Sequence, residues 1–300
     1  MKQIFLIFSA IVFFTIININ SFSQENEVPD STLGWKFNGI GSFTFSQVSF
    51  SNWAAGGENS VSLNGLFAVS YDYKAKNLMW DNDLGVAYGF LNQNNTDNRK
   101  TDDNLEISSK FSYKAINKWY YSSLVSFKSQ FAEGFEYDDV AKTRNKISEF
   151  MAPGYLNIAI GMNYAPNKDF SLFIGPLSGK STFVRDDTLS FYGAYGVEPG
   201  ETVRYEFGGT LKAAYSKDIF KNVNLISKLE LFSNYNENLG NIDVDLQMLI
   251  TLKVNKFLST NISMHMIYDD DIKNTNDEGN ITGPKLQFKE IFGVGITYKF

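Results

Sequence analysis

A serine and a histidine stand two residues apart late in the sequence, as Ser263 and His265. His265 is the only histidine in the chain. A histidine beside a serine can act as the general base of an acyl hydrolase. The histidine must also be oriented by a third group, usually a carboxylate, and the sequence identifies none. We therefore interpret His265 as an ordinary polar side chain and predict no enzyme, with a lipid-acting hydrolase as the minor alternative.

Aspartates recur in clusters between the apolar segments and could offer oxygen ligands to a hard cation. The densest cluster is Asp269, Asp270 and Asp271. No cluster has the glycine and glutamate spacing of an EF-hand loop. Solvated loops are the favoured interpretation, with metal bridging to lipopolysaccharide as the alternative. We predict no cofactor.

The residues around these groups alternate between apolar and polar with a period of two, which is typical of β-strands with one apolar face. The segment from Ser60 to Tyr73 shows the pattern most cleanly. We predict about twelve strands, an even number as in closed bacterial outer-membrane barrels. They cover residues 35–46, 60–73, 78–91, 103–115, 119–131, 154–165, 169–183, 202–216, 223–235, 242–254, 257–268 and 286–300.

The segments between these strands alternate between short turns and mostly longer, polar loops, as a transmembrane barrel requires. Aromatic residues occur at both ends of the strands, with mainly aliphatic residues between them. Two such girdles mark the two interfaces of a membrane. We therefore predict an all-β, closed antiparallel transmembrane barrel in the outer membrane, with both termini periplasmic. A soluble β-sandwich also alternates, but it does not need aromatic residues at both strand ends.

The polar face of this predicted barrel carries charges of both signs. The predicted lumen-lining residues are Asp81, Asp83, Glu106, Lys110, Lys128, Arg204, Glu206, Lys212, Lys228, Glu230, Asp243, Asp245 and His265, and the same face holds Lys114, Lys253 and Lys299. These side chains could line a narrow solute path, or they could fill the lumen as a packed salt-bridge network. Twelve strands lie between the filled eight-stranded barrels and the wide porins. Mixed signs argue against strong ion selectivity.

One loop segment is unusually small and apolar, Trp53-Ala54-Ala55-Gly56-Gly57. Glycine permits sharp and unusual backbone conformations. Trp53, Gly56 and Gly57 could therefore form a constriction that folds into the lumen. A turn that rests on the barrel rim is an equally good interpretation.

The first 23 residues have a basic Lys2, an apolar stretch and the small-x-small ending Ser21-Phe22-Ser23. This pattern predicts a cleaved signal peptide, with a membrane anchor as the alternative. Residues 24–34 would form a short periplasmic segment and residues 35–300 the barrel. With no cysteine, there is no disulfide framework and no cysteine-ligated metal. The 27 basic and 33 acidic residues give no basic excess for nucleic acid.

Several segments resemble an uncharacterised family of Bacteroidota outer-membrane proteins, of the type known as domain of unknown function 3078. The matching segments are F-S-Q-V-S-F-S-N-W-A-A-G-G-E-N-S (45–60), K-T-D-D (100–103), W-Y-Y-S-S-L-V-S-F-K-S-Q-F (119–131), P-L-S-G-K (176–180), I-Y-D-D-D (267–271) and the ending at Phe300. The resemblance implies an outer-membrane β-barrel and no activity. It also implies that Phe300 is similar to the C-terminal signal read by the barrel-assembly machinery.

Two functional hypotheses follow from these observations. The first is a narrow passive channel for small solutes, and the second is a structural or surface-interaction barrel with a plugged lumen. The expected partners are outer-membrane lipids and lipopolysaccharide, together with the assembly machinery during insertion. The sequence predicts no oligomeric state.

Overall fold

The computed structural model describes residues 33–49, 59–93, 98–138, 141–237, 239–269, 271, 274–275 and 281–300. Twelve long strands make up most of these residues. Their bounds are β1 (Gly34–Val48), β2 (Ser60–Lys74), β3 (Leu78–Gln93), β4 (Arg99–Ile116), β5 (Trp119–Ser129), β6 (Gly154–Tyr164), β7 (Phe170–Phe183), β8 (Val203–Phe220), β9 (Val223–Asn234), β10 (Asp243–Lys253), β11 (Leu258–Tyr268) and β12 (Gln287–Lys299). The predicted signal peptide and the predicted constriction segment with Trp53, Gly56 and Gly57 lie outside the described residues.

The twelve strands form a closed antiparallel barrel, in which each strand pairs with its neighbours in the sequence. The ring closes where β1 pairs with β12, with Phe43 opposite Ile296 and Phe45 opposite Val294. Closure gives each of the twelve strands a paired neighbour on both sides, as a barrel in lipid requires. The prediction of a twelve-stranded closed barrel is confirmed.

Two strands extend four residues beyond a predicted end, more than any of the other ten. β4 begins at Arg99 and not at residue 103, and β8 continues to Phe220 and not only to residue 216. The pairing register shifts near both extensions, between Gly89 and Phe90 in β3 and between Asp218 and Phe220 in β8. A bulge inserts one residue and so interrupts the alternation of faces, which explains why the pattern ended early.

The barrel exterior is apolar and carries two groups of exposed aromatic residues. Those near the short-turn rim are Trp35, Phe37, Tyr71, Trp80, Phe111, Tyr113, Tyr121, Tyr298 and Phe300, and those near the long-loop rim are Phe43, Phe45, Tyr88, Phe131, Tyr205, Phe207, Tyr235 and Phe288. Exposed aliphatic residues lie between the two groups, among them Val125, Ile158 and Val294. So much continuous apolar surface is unusual for a soluble protein and matches the outward face of a membrane barrel.

Two long loops pack together at the long-loop rim. The loop between β5 and β6 contains a hairpin of Gly134–Asp138 and Thr143–Ser148, and the loop between β7 and β8 contains helix α1 (Asp187–Phe191). Both loops contribute to a small apolar core, in which Ala152 contacts residues of the second loop such as Leu189. We call these two loops the loop cap. Five residues are too short to show a helical period, so the sequence pattern predicts no helix here.

Within the part of the chain that the structure describes, no helix is both long enough and apolar enough to cross a membrane.

Candidate functional site in the lumen

A single lysine connects opposite walls of the lumen. Lys128 on β5 places its Nζ atom 2.7 Å from Glu230 Oε2 on β9 and 2.8 Å from Asp245 Oδ2 on β10. In the strand order, β10 lies five positions from β5 in a ring of twelve, so this contact crosses the lumen almost along a diameter. All three side chains are about one-fifth exposed. The ion pairs therefore form a bar across the interior.

Further polar groups complete the bar on the side of β8. Lys212 Nζ lies 3.0 Å from Glu230 Oε1 and donates a hydrogen bond of 2.9 Å to Ser126 Oγ. Asn157 Nδ2 donates to the same Glu230 oxygen at 3.3 Å. A buried carboxylate is tolerated when its oxygens are paired and hydrogen-bonded, and both oxygens of Glu230 are. We call Lys128, Lys212, Glu230, Asp245 and His265 the cross-lumen network.

His265 belongs to this network through Asp245. Its Nε2 atom lies 2.9 Å from Asp245 Oδ1, so the structure provides a carboxylate partner that the sequence did not identify. The other oxygen of this carboxylate is paired with Lys128. A hydrolase would need the histidine hydrogen-bonded to both the carboxylate and the serine. Among the described residues, no hydrogen bond joins His265 to Ser263, and His265 shares the Asp245 carboxylate with Lys128.

A second charged cluster lies nearer the loops. Lys180 Nζ is 2.7 Å from Asp243 Oδ2 and 3.8 Å from Asp269 Oδ2, while Arg204 Nη1 is 2.7 Å from Asp271 Oδ2. The carboxylates of Asp243, Asp269 and Asp271 lie within 4.8 Å of one another. They could hold a hard cation only if it displaced Lys180 and Arg204. Of the predicted metal residues, Asp270 lies outside the described residues.

The two charged clusters border a cavity of about 510 Å³ on the long-loop side of the lumen. Its floor is the cross-lumen network, and Ile147 and Tyr195 of the loop cap reach into its wall. Tyr155 and Phe232 add aromatic surface, with Lys180 Nζ 5.0 Å from the centre of the Phe232 ring. Apolar rings beside a few polar groups are typical of a pocket for a small molecule.

The other predicted lumen residues form separate pairs outside the cross-lumen network. Lys110 Nζ lies 3.2 Å from Asp81 Oδ2, Ser108 Oγ donates to Asp83 Oδ2 at 3.3 Å, and Lys228 Nζ lies 4.0 Å from Glu106 Oε2. The first two pairs join the adjacent strands β3 and β4 along the wall. Lys228 on β9 and Glu106 on β4 lie five positions apart in the ring, so this longer pair also spans the lumen. Glu206 pairs with Arg204 at 3.5 Å.

Sequence reasoning missed four basic residues that face the lumen. Lys180 lies on β7 and Lys289 on β12, where Lys289 reaches Asp102 of β4. Lys36 on β1 and Asp72 on β2 are directly paired and therefore share the inward face. Lys74 lies two residues after Asp72 on β2 and so has the same direction. The alternation rule alone could have placed Lys36 and Lys74, since both follow the parity of their strands.

Comparisons with known proteins give a family match over part of the chain. Residues 45–135 match the family described as "Protein of unknown function (DUF3078)". The match includes the segment with Trp53 and all of β2, β3, β4 and β5. Among the curated proteins, none matches this sequence.

Solved structures with a similar course of the chain include three barrels. The COG4313 outer membrane channel from Pseudomonas putida F1 is 10% identical, with 92% of this chain and 100% of that chain covered and a TM-score of 0.40. The translocator domain of autotransporter NalP from Neisseria meningitidis is 11% identical, with 92% and 90% covered and a TM-score of 0.36. The NanC porin is 8% identical, with 88% and 100% covered and a TM-score of 0.38.

Proposed function

We propose that this protein is an outer-membrane barrel that admits small polar solutes through a narrow lumen closed to larger ones. The observation that carries the proposal is the cross-lumen network beneath a cavity that faces the long loops. Such an arrangement restricts passage to solutes that can move beside the Lys128–Asp245 pair. It also provides polar groups that replace the hydration shell of a passing solute.

The outer-membrane location is part of the proposal and rests on the barrel exterior. Two aromatic groups flank an aliphatic band, and each of the twelve strands has a paired neighbour on both sides, both as required in lipid. We assign the short turns to the periplasm, because outer-membrane barrels have short periplasmic turns and longer outer loops. The resemblance of residues 45–60 to Bacteroidota proteins suggests the bacterial group from which the chain comes.

The experiment is single-channel recording of the purified protein in planar bilayers. We expect small conductance steps from the wild type and larger steps from Lys128→Ala, because the substitution removes the bar across the lumen. The matched control is Lys110→Ala, since Lys110 also faces the lumen but pairs with Asp81 of the adjacent strand β3, 3.2 Å away. This control should conduct like the wild type.

The second candidate is a structural barrel with a plugged lumen, and the same ion pairs favour it. It predicts that neither the wild type nor Lys128→Ala conducts, because the remaining side chains would still fill the interior. If neither protein conducts at any voltage or salt concentration, the channel proposal is overturned and the plugged barrel is supported.

A further inference from the structure

The basic residues of the lumen are distributed unevenly between its two ends. On the long-loop side they are neutralised, as Lys100 with Asp103 at 2.8 Å, Lys180 with Asp243 and Arg204 with Asp271. The lumen as a whole carries both signs, which led us to expect weak ion selectivity. These ion pairs show that the overall balance of charge does not describe the two ends of the lumen separately.

The short-turn end holds a group of lysines on the inward faces of the strands. We call this group the basic mouth, and its members are Lys36, Lys74, Lys114, Lys253 and Lys299. They lie on β1, β2, β4, β10 and β12, so most of them occupy neighbouring parts of the barrel wall. Four of them are exposed, and Lys74 is partly exposed.

The inward direction of these lysines follows from register with buried polar partners. Lys299 lies two residues after Thr297, whose Oγ1 atom is 2.9 Å from Ser42 Oγ inside the barrel. Lys253 pairs with Ser259, whose Oγ donates to the same Thr297 Oγ1 at 2.7 Å. Lys114 lies two residues after Ser112, which is fully buried inside the wall. Residues two apart in a strand share a face.

The mouth lysines have few partners. Within the described residues, Lys36, Lys74, Lys114 and Lys253 form no ion pair or side-chain hydrogen bond, and Lys299 donates only to the neutral Asn224 Oδ1 at 3.0 Å. The acidic groups nearby are Asp72, which is opposite Lys36 in the register, and Asp81 and Asp83 on the adjoining strand β3, of which Asp81 is paired with Lys110. Asp218 lies near Lys299 and accepts from Asn224 at 2.9 Å.

We propose that the basic mouth is an anion-binding entrance, and that the solutes of this barrel are small anions with a phosphate or carboxylate group. The five lysines outnumber the nearby acidic groups Asp72, Asp83 and Asp218. An excess of one charge around an opening with low-dielectric walls concentrates ions of the opposite sign. The paired charges farther up the lumen offer no such field. This inference deepens the proposed function and rests on it only for the step of passage.

Binding is tested separately from passage, with inorganic pyrophosphate as the probe. The mouth variant combines Lys36→Gln, Lys114→Gln, Lys253→Gln and Lys299→Gln. The matched control combines Lys76→Gln, Lys118→Gln, Lys168→Gln and Lys256→Gln, which change net charge equally but lie in the short turns and not on an inward strand face. Calorimetric titration in an uncharged detergent gives the affinity of each protein.

We expect the wild type to bind pyrophosphate with an affinity that falls as salt rises, because mobile ions screen exposed charges. The mouth variant should bind about tenfold more weakly or worse, given how strongly a focused field raises local ion concentration. The turn variant should bind like the wild type. A set of Lys→Arg substitutions at the mouth positions should also retain binding, which separates lost charge from a folding defect.

Reversal potentials in a KCl gradient then test passage. Anion preference in the wild type that disappears in the mouth variant supports the inference. Equal selectivity in both proteins overturns the inference and leaves the channel intact. No saturable pyrophosphate binding by the wild type, or equal binding by the mouth variant, also overturns it. Pyrophosphate binding at the mouth in a protein that never conducts would sustain this inference while it refutes the channel.

Discussion

The ring of Phe300 covers the backbone of Gly39 on the outer face of the barrel. The two residues exchange backbone hydrogen bonds, Gly39 N–H to Phe300 O at 2.8 Å and Phe300 N–H to Gly39 O at 3.0 Å. A Cβ atom on residue 39 would overlap the Phe300 ring. The ring also contacts Phe37, with 5.7 Å between ring centres. Glycine at position 39 therefore lets an aromatic ring lie flat over the seam that closes the barrel.

We predict that Gly39→Val impairs barrel closure, because the new side chain displaces the Phe300 ring from the β1–β12 seam. The measurement is the fraction of protein that folds from urea into detergent micelles, read by the shift between heated and unheated bands on a gel. Gly41→Val is the matched control, since a Cβ atom at Gly41 on the same face meets nothing within 4 Å. Equal folding of the two variants would contradict the role of this contact.

Phe300→Ala tests the same seam from the other strand. It removes the ring but keeps the backbone pair, so we expect folding in micelles to be reduced less than insertion into the outer membrane of cells. That difference would support the resemblance-based prediction that the assembly machinery reads Phe300. Outer-membrane levels equal to those of the wild type would count against it.

The seam was within reach of sequence reasoning, while the cross-lumen network was not. Alternation places Phe292, Val294 and Ile296 outward and therefore identifies β12 as the closing strand. Lys128, by contrast, meets partners that are 102 and 117 residues away along the chain. Which inward side chains meet across a barrel depends on its stagger and on bulges, and a period of two carries no information about either. The alternation could name Lys128, Glu230 and Asp245 but could not pair them.

Loop structure was also beyond the sequence pattern. Helix α1 has an Asp186 cap, whose Oδ1 accepts the Leu189 N–H at 2.7 Å. A single capping aspartate is a common local feature, so it does not by itself identify a helix. This aspartate also forms an ion pair with Lys146 of the other loop. The contact joins residues whose approach is set by tertiary packing and not by local propensity.

The loop cap should open in acid. Burial raises the pKa of the Asp186 carboxyl, but hydrogen bonds from Lys146 and from the Leu189 N–H outweigh burial and leave the pKa below its ordinary value. A carboxyl with a lowered folded pKa stabilises the fold above its unfolded pKa. This contribution is lost as the pH falls from about 3.9, the ordinary aspartate value, through the lowered value. Glu149, 3.0 Å from Lys146, shares the same ammonium group.

Hydrogen-exchange protection of the Leu189 and Ser190 amides, corrected for intrinsic rates, measures this opening. We expect protection to fall with pH in the wild type and to depend less on pH in Asp186→Asn, which keeps a capping side chain but no charge. Asp187→Asn is the control, because Asp187 is exposed and adjacent. A pH profile that Asp186→Asn leaves unchanged would assign the acid sensitivity to another group.

His265 should be dispensable for any lipid hydrolysis. Its Nε2 atom lies 2.9 Å from Asp245 Oδ1, and within the described residues no hydrogen bond joins it to Ser263. We expect the wild type, His265→Ala and Ser263→Ala to release the same background amount of fatty acid from phospholipid micelles. A rate in the wild type that both substitutions abolish would restore the hydrolase hypothesis.

A charged substitution on the outward face should reduce stability strongly at mid-height and only slightly near the rim. Ile158 is 51% exposed in the middle of β6, beside the equally outward Val125. If this face meets hydrocarbon, Ile158→Arg should lower the free energy of unfolding by about 2–4 kcal/mol. The control is Phe288→Arg on β12, because Phe288 lies at the long-loop end two residues from the exposed, outward Glu290. A charge near the interface costs only about 0–1 kcal/mol. Urea titrations in phospholipid vesicles measure both variants, and an equal cost at the two positions would place the membrane elsewhere on the barrel.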